Sequence, residues 1–273
     1  MHRTCFAAAG SLLLTLGLQA SSAGLGALAP PQAPAATSEV RITYLYDNTA
    51  AAPGVTPDWG FACLVESHGA RVLFDTGTKP DVLAHNAQAL GVDLSRLDAV
   101  VLSHDHADHT AGLPALGPRP GLRLCYARGF NPDVVARLGA SRASLVPVLR
   151  STEVAPGIRT SDEFGTTIKE EALLIDTPGG LVVVVGCSHP GIVPMLQQIK
   201  ATSGRPIHAV VGGFHLLQTP AVEVSRLVAA FKELGVGRAG PTHCTGPEAI
   251  RRFKEAFGDR FIQGGVGTVV TAP

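Results

Sequence analysis

Three observations predict a mixed α/β fold. Short β-branched runs bounded by glycine, such as Leu181-Val182-Val183-Val184-Val185-Gly186, read as buried strands. Between such runs lie stretches with apolar residues at every third or fourth position, the period of an amphipathic helix. Histidines close several of the apolar runs, at His104, His189, His215 and His243. In α/β proteins, metal ligands and catalytic groups tend to lie where strands give way to loops. The chain has 273 residues and a formal net charge of zero. That length suits one large domain with a full core. No basic block or stripe marks a nucleic-acid surface, so the expected partner is a small molecule, with oligomeric state left open.

The N-terminus predicts a targeting segment. A short basic start, Met1-His2-Arg3, leads into an uncharged stretch around Leu12 to Leu18, then small residues at Ala20-Ser21-Ser22-Ala23 and Ala27-Leu28-Ala29. This is the three-part pattern of a secretory signal peptide over residues 1–29, with cleavage near 23 or 29. The apolar core of about fifteen residues is shorter than the roughly twenty that span a bilayer, so no stable membrane insertion is expected. An uncleaved anchor is the alternative, and Cys5 sits too early for a lipoprotein cleavage site. Residues 30–39, with Pro30-Pro31-Gln32-Ala33-Pro34, read as a linker. The folded domain is expected over 40–273, in a periplasmic or secreted protein.

Val40 to Asn48 reads as the first strand, followed by a small-residue and proline loop to Gly60. Phe61–Glu66 and Arg71–Asp75 flank Ser67-His68-Gly69-Ala70, a hairpin signature. A helix is expected over Asp81–Leu90, ended by Gly91. His68 and His85 read as surface residues. A strand over Leu122–Ala127 precedes a helix over Pro132–Gly139, with Asn131 as its N-cap. Short strands fill Leu145–Arg159, and Thr177-Pro178-Gly179-Gly180 turns one strand back onto the next. Three helices follow, over Ile192–Ala201, Val222–Leu234 and Pro247–Phe257, the last with Ile250, Phe253 and Phe257 inward. A strand over Ile262–Val270 closes the chain. Cys63 and Cys125 lie in apolar runs and read as small hydrophobes. Cys187 and Cys244 lie within two positions of candidate ligand histidines.

The most informative segment is Ser103-His104-Asp105-His106-Ala107-Asp108-His109, directly after the apolar run Leu97–Leu102. His104 and His106 point to one side of a strand end and can bind one ion through imidazole nitrogens at about 2.0–2.1 Å. Asp108 and His109 come one short turn later and can reach a second ion. Two adjacent ions can acidify a water between them. A solvated histidine-rich loop is the bland alternative. It does not account for three more histidines at strand ends.

These residues resemble the metallo-β-lactamase superfamily, whose first metal motif is His-x-His-x-Asp-His. Val72-Leu73-Phe74-Asp75-Thr76-Gly77 is similar to its strand–Asp-Thr-Gly element. Gly186-Cys187-Ser188-His189-Pro190-Gly191-Ile192, Gly212-Gly213-Phe214-His215-Leu216, Pro241-Thr242-His243-Cys244-Thr245-Gly246, Tyr46-Asp47-Asn48 and Glu171-Ala172-Leu173 resemble the dihydropterin-aminobenzene-phosphate synthase-like branch.

The resemblance implies a four-layer αββα sandwich with metals at one edge between the sheets. It implies that His104, His106 and His189 hold one ion and Asp108, His109 and His243 a second. Asp75 would stand behind the ligands, holding the histidine loop by hydrogen bonds. Asp108 would also orient the nucleophile or pass a proton. His215 is left open between metal ligand, substrate contact and proton donor, with substrate contact preferred, and Asn48 is assigned to substrate binding. Where the superfamily usually has a bridging carboxylate this chain has Cys187, either a further ligand or a bystander. The expected cofactor is one or two Zn2+ ions, with Mn2+, Fe2+ or Mg2+ as alternatives. The implied activity is metal-dependent hydrolysis of a phosphoester, ester or lactone-like bond. A pterin-related transferase and a non-catalytic metal-binding protein are the alternatives.

Overall fold

The computed structural model describes residues 39–273. The leader and all of the linker except Glu39 lie outside the described residues. Among the described residues, thirteen strands form two sheets. The first contains β1 (Val40–Tyr46), β2 (Ala62–Ser67), β3 (Ala70–Phe74), β4 (Ala99–Leu102), β5 (Arg123–Ala127), β6 (Ser144–Val148) and, at the far end of the chain, β13 (Val269–Ala272). Its order is β13-β1-β2-β3-β4-β5-β6. The second contains β7 (Glu153–Ala155), β8 (Ile158–Thr160), β9 (Leu173–Thr177), β10 (Gly180–Val185), β11 (Ile207–Gly213) and β12 (Arg238–Thr242), in the order β12-β11-β10-β9-β8-β7.

Three apolar layers separate the elements. Ile42, Phe61, Val72, Phe74, Ile175, Val184 and Val211 pack between the two sheets. On the outer face of the first sheet, Leu73, Val100 and Leu124 meet Leu83 of helix α1 (Pro80–Ala89); the short helix α2 (Ala107–Thr110) follows β4, and Val134 and Leu138 of α3 (Pro132–Leu138) pack onto the same face. On the outer face of the second sheet, Val183, Val185 and Val210 meet α4 (Ile192–Ser203), α5 (Ala221–Glu233) and α6 (Pro247–Phe257). The alternation along each strand therefore serves two cores at once, because successive side chains point to opposite faces. This is the four-layer αββα arrangement implied above. No helix among the described residues is long and apolar enough to cross a membrane.

Most of the predicted elements stand within a few residues of their expected places. Asn131 caps α3 as expected, accepting a hydrogen bond from Asp133 N. Three readings need correction. The closing strand spans only Val269–Ala272, because Gly264, Gly265 and Gly267 break the run. The backbone at Gly265 and Gly267 has positive φ and lies against Ala51 and Ala52, a path that a regular strand cannot take. His68 is half-buried and not a surface residue. Its ring packs on Gly157, and its Nε2 lies 3.3 Å from Asp176 O in the other sheet. In α6, Ala249 is buried with Phe253 and Phe257, and Ile250 lies at the margin of the core.

The topology places the site. β3 and β4 are parallel, and so are β10, β11 and β12. Parallel neighbours in register finish at the same edge, so the loops after all five strands cluster there. Those loops carry Asp75, the segment 103–109, Cys187 to His189, His215, and His243 with Cys244.

Candidate metal centre

Four of the five strand ends at this edge turn through an unusual backbone conformation. Asp75, Ser188, His215 and His243 all have positive φ, between 50° and 62°. Such conformations are costly for non-glycine residues and persist where the surroundings impose them. Here they mark the ends of β3, β10, β11 and β12.

The imidazoles gather into two groups. The rings of His104, His106 and His189 form a near-equilateral triangle, with centroids 4.7 to 4.8 Å apart. Beside it lies a second group. His109 Nε2 is 3.3 Å from His243 Nε2, 3.7 Å from Asp108 Oδ2 and 3.2 Å from Cys187 Sγ, and His243 Nε2 is 3.4 Å from Asp108 Oδ2. Ligands at tetrahedral positions around one small ion, at about 2.0–2.1 Å, lie about 3.3–3.4 Å from one another. The spacing is that of a ligand cage. Cys187 stands within ligand reach of both groups, as the sets His104–Cys187–His189 and His109–Cys187–His243 show.

Four of these histidines are held from behind at Nδ1. His109 Nδ1 lies 2.7 Å from Asp75 Oδ2, and His189 Nδ1 lies 3.1 Å from Glu170 Oε2. His243 Nδ1 lies 3.0 Å from Asn48 Oδ1. His104 Nδ1 lies 2.8 Å from Ser103 Oγ, whose own hydroxyl donates to Asp75 Oδ2. Each partner accepts the Nδ1 proton and so leaves a lone pair on Nε2. His104 Nε2 is fully buried and has no hydrogen-bond partner. A buried polar atom without a partner is costly, and a metal ion resolves that cost. The residues therefore fit a divalent ion.

Two carboxylates organise the backs of the ligands. Asp75 is fully buried, and its oxygens take Ser103 N, Ser103 Oγ and His109 Nδ1, so it braces one ligand from each group. Burial pushes its pKa well up, against the hydrogen bonds from Ser103. Glu170, also fully buried, accepts from the backbone of Cys187, Ser188 and His189 as well as from the His189 ring. Burial would raise its pKa. The adjacent His104 imidazole and the hydrogen bonds from His189 and Ser188 outweigh burial and hold it at about 2. Asp108 is half-buried, and Trp59 Nε1 donates to its Oδ2 at 2.8 Å. Burial again opposes ionisation there, and contact with the His243 and then the His109 imidazole prevails to hold the carboxyl low. Burial, and then the neighbouring His243, bring His109 down to about 3.

The structure brings His104, His106, Asp108, His109, His189, His243 and Cys187 together, with Asp75 behind them. His215 lies on the rim, exposed, with its ring 4.4 Å from that of His189. Its hydrogen bond with Cys244, against partial burial, raises its pKa above the usual imidazole value. Asn48 has a contact the sequence did not show. Its amide accepts from His243 Nδ1 and from Gly60 N, and it donates to His243 O at 3.1 Å, so it positions His243. Sequence reasoning missed Glu170 and Trp59. Glu170 was visible as one of two adjacent carboxylates just before an apolar strand, a costly place for charge. Trp59, the chain's one tryptophan, sits in the loop before β2 and tilts over His243 at 4.9 Å between ring centroids.

Fold and site together define a metallohydrolase-type sandwich whose metal-ligating side chains line one edge, and the comparisons with known proteins agree. Residues 55–196 match the family model of the Metallo-beta-lactamase superfamily, and the chain belongs to that superfamily. More particularly, it is 29% identical over 262 residues to a 7,8-dihydropterin-6-methyl-4-(beta-D-ribofuranosyl)-aminobenzene-5'-phosphate synthase of Methanocaldococcus jannaschii, covering 77% of this chain and 88% of that one. The crystal structure of Tm1679, described as a metal-dependent hydrolase of the beta-lactamase superfamily, superposes with a TM-score of 0.71 at 31% identity, over 85% of this chain and 98% of that one. A shorter match, 42% over 62 residues, joins 22% of this chain to 22% of a hydroxyacylglutathione hydrolase of Stenotrophomonas maltophilia.

Proposed function

We propose that the protein is an exported, metal-dependent hydrolase that cleaves a phosphoester, ester or lactone-like bond in a small molecule. The observation that carries this reading is the set of four imidazoles braced at Nδ1, with Nε2 free for an ion. His104, His106 and His189 would hold one ion, and Asp108, His109, His243 and Cys187 a second. Zinc suits the imidazole and thiolate donors best, with manganese or iron as alternatives. Bound ions supply Lewis acidity and an acidified water for attack.

The chain's own groups do the rest. The Asp108 carboxylate stands beside His109 and His243 and, held ionised, orients the nucleophile and takes its proton. Trp59 fixes that carboxylate by its indole N–H. His215, on the rim with a raised pKa, donates a proton to the leaving group. A cleft of about 490 Å³ opens beside His189, lined by Phe164, Ile168, Pro190, Met195 and Gln198 among others. That volume suits a small molecule.

Export rests on the leader pattern of residues 1–29. N-terminal sequencing of material released from cells checks it, and a chain still beginning at Met1 overturns it. The hydrolytic reading is tested by metal analysis and a panel of phosphodiester, ester, lactone and β-lactam substrates. Asp108→Asn is expected to lower turnover about 10²- to 10⁴-fold, the usual range for a positioned acid–base group. Similarity to the Methanocaldococcus synthase favours a second reading, a pterin-linked transfer. Consumption of pterin substrates with no turnover in the hydrolase panel would select that second reading.

A further inference from the structure

Beyond the histidine cage, the same edge carries a cluster with different chemistry. Cys187, His215 and Cys244 offer two sulfur atoms and an imidazole nitrogen, all within 4.8 Å of one another. They come from the ends of three adjacent parallel strands, β10, β11 and β12. Those ends are tied to each other. Ser188 Oγ donates to Gly213 O at 2.9 Å, Phe214 N to Thr245 Oγ1 at 2.9 Å, and Leu217 N to Cys244 O at 3.2 Å. The space is fitted to sulfur. A Cβ on Gly213 would lie 2.6 Å from Cys244 Sγ and 3.3 Å from Cys187 Cα, so glycine makes room for the thiol. Both cysteines are buried, and His215 closes the cluster from the exposed rim.

We propose that Cys187, His215 and Cys244 form a separate site for a soft, zinc-like ion, with Cys187 as its junction with the histidine cage. Two thiolates neutralise a dication, which removes most of the penalty for burying it. Their softness selects zinc or cadmium and excludes magnesium or calcium. Both thiol protons leave to solvent as the ion enters. The site shares Cys187 and His215 with the hydrolase reading: an ion here takes His215 from its proton-donor role and leaves the Asp108 chemistry in place, and the titration reads metal binding alone.

The test is a cadmium titration of the purified full chain, stripped of metal under reducing conditions. It is followed by ultraviolet thiolate-to-metal charge transfer and by cadmium NMR. The wild type is expected to bind one equivalent more than Cys244→Ser. The charge-transfer band of Cys244→Ser should fall by about half, the loss of one of two equal ligands. His215→Ala changes an exposed side chain and keeps the fold testable should the serine variant misfold. It should keep the band and weaken the extra equivalent by about 10-fold or more, as loss of one supporting group typically does. Equal stoichiometry and equal bands in wild type and Cys244→Ser overturn the proposal. So does unchanged affinity in His215→Ala, or a Cys187–Cys244 disulfide as the form present in protein purified without reductant.

Discussion

At the scale of single residues, the chemistry of this edge depends on groups that never touch an ion. Glu170 is the sharpest case, since one carboxylate fixes three backbone N–H groups and the His189 ring. Glu170→Gln keeps the shape and removes the charge. It is expected to weaken the ion of the His104–His106–His189 group about 10- to 100-fold, the usual effect of losing such a partner. Competition with a fluorescent chelator measures this, and unchanged affinity would show that the backbone alone positions His189. Gly186 makes a second case. A methyl group there would overlap Ser103 Oγ and press on His104 Nδ1. Gly186→Ala should therefore lower both metal content and thermal midpoint, by displacing the hydroxyl that links His104 to Asp75.

The sequence was most legible at this scale. His104, His106, Asp108, His109, His189 and His243 stood out because histidine at the end of an apolar run is rare without a purpose. Asn48 was placed near the site, but its hold on His243 was not seen. A motif gives proximity, whereas the partner of each amide end depends on a residue 195 positions away. Glu170 was passed over for a related reason. Its acceptor role needs three consecutive N–H groups to turn inward, and a string of letters does not show that turn.

Among the elements, the helices behind the second sheet do more than cover it. Phe214, Phe231 and Phe253 meet with ring centroids 5.0 to 5.4 Å apart, and Phe214 directly precedes His215. α5 and α6 thus anchor the loop that carries the rim histidine. Phe253 is fully buried, and Phe253→Ala should destabilise the domain by about 3–5 kcal/mol. Denaturant unfolding would report this, and a loss below about 1 kcal/mol would mean that the aromatic cluster repacks. The strand and helix periods were readable because each element buries a defined face. The closing segment was misread because its hydrophobic residues alternate with glycines whose positive φ values are dictated by Ala51 and Ala52, far away in sequence.

Across the whole molecule, the two sheets enclose an unusual group. Glu171 is fully buried, and neither carboxylate oxygen has a partner. Burial, and then the nearby Asp75, push its pKa well above the usual value. The sign of the consequence follows from linkage. The folded chain holds this proton to a higher pH than the unfolded chain, whose glutamate titrates near 4.5. Its contribution to stability is therefore complete below about pH 4.5 and is lost as pH rises toward the folded value. Glu171→Gln has no proton to lose. Its thermal midpoint relative to wild type should rise as pH is raised above about 4.5, and a difference independent of pH would mean that Glu171 is ionised in the fold.

The seam between the halves also sets the order of events when the chain gains or loses its shape. His104, His106, Asp108 and His109 leave one sheet, whereas His189 and His243 leave the other, so no complete cage exists until the halves have docked. An ion that needs both halves arrives after the folding barrier and acts only on the return journey. Metal should therefore leave the refolding rate nearly unchanged and slow unfolding, the kinetic mark of contacts absent from the transition state. Folding and unfolding limbs recorded with and without chelator would show it. Where cleavage of an opened chain outpaces its reclosing, a slow exit from the folded state governs survival more than the depth of the well.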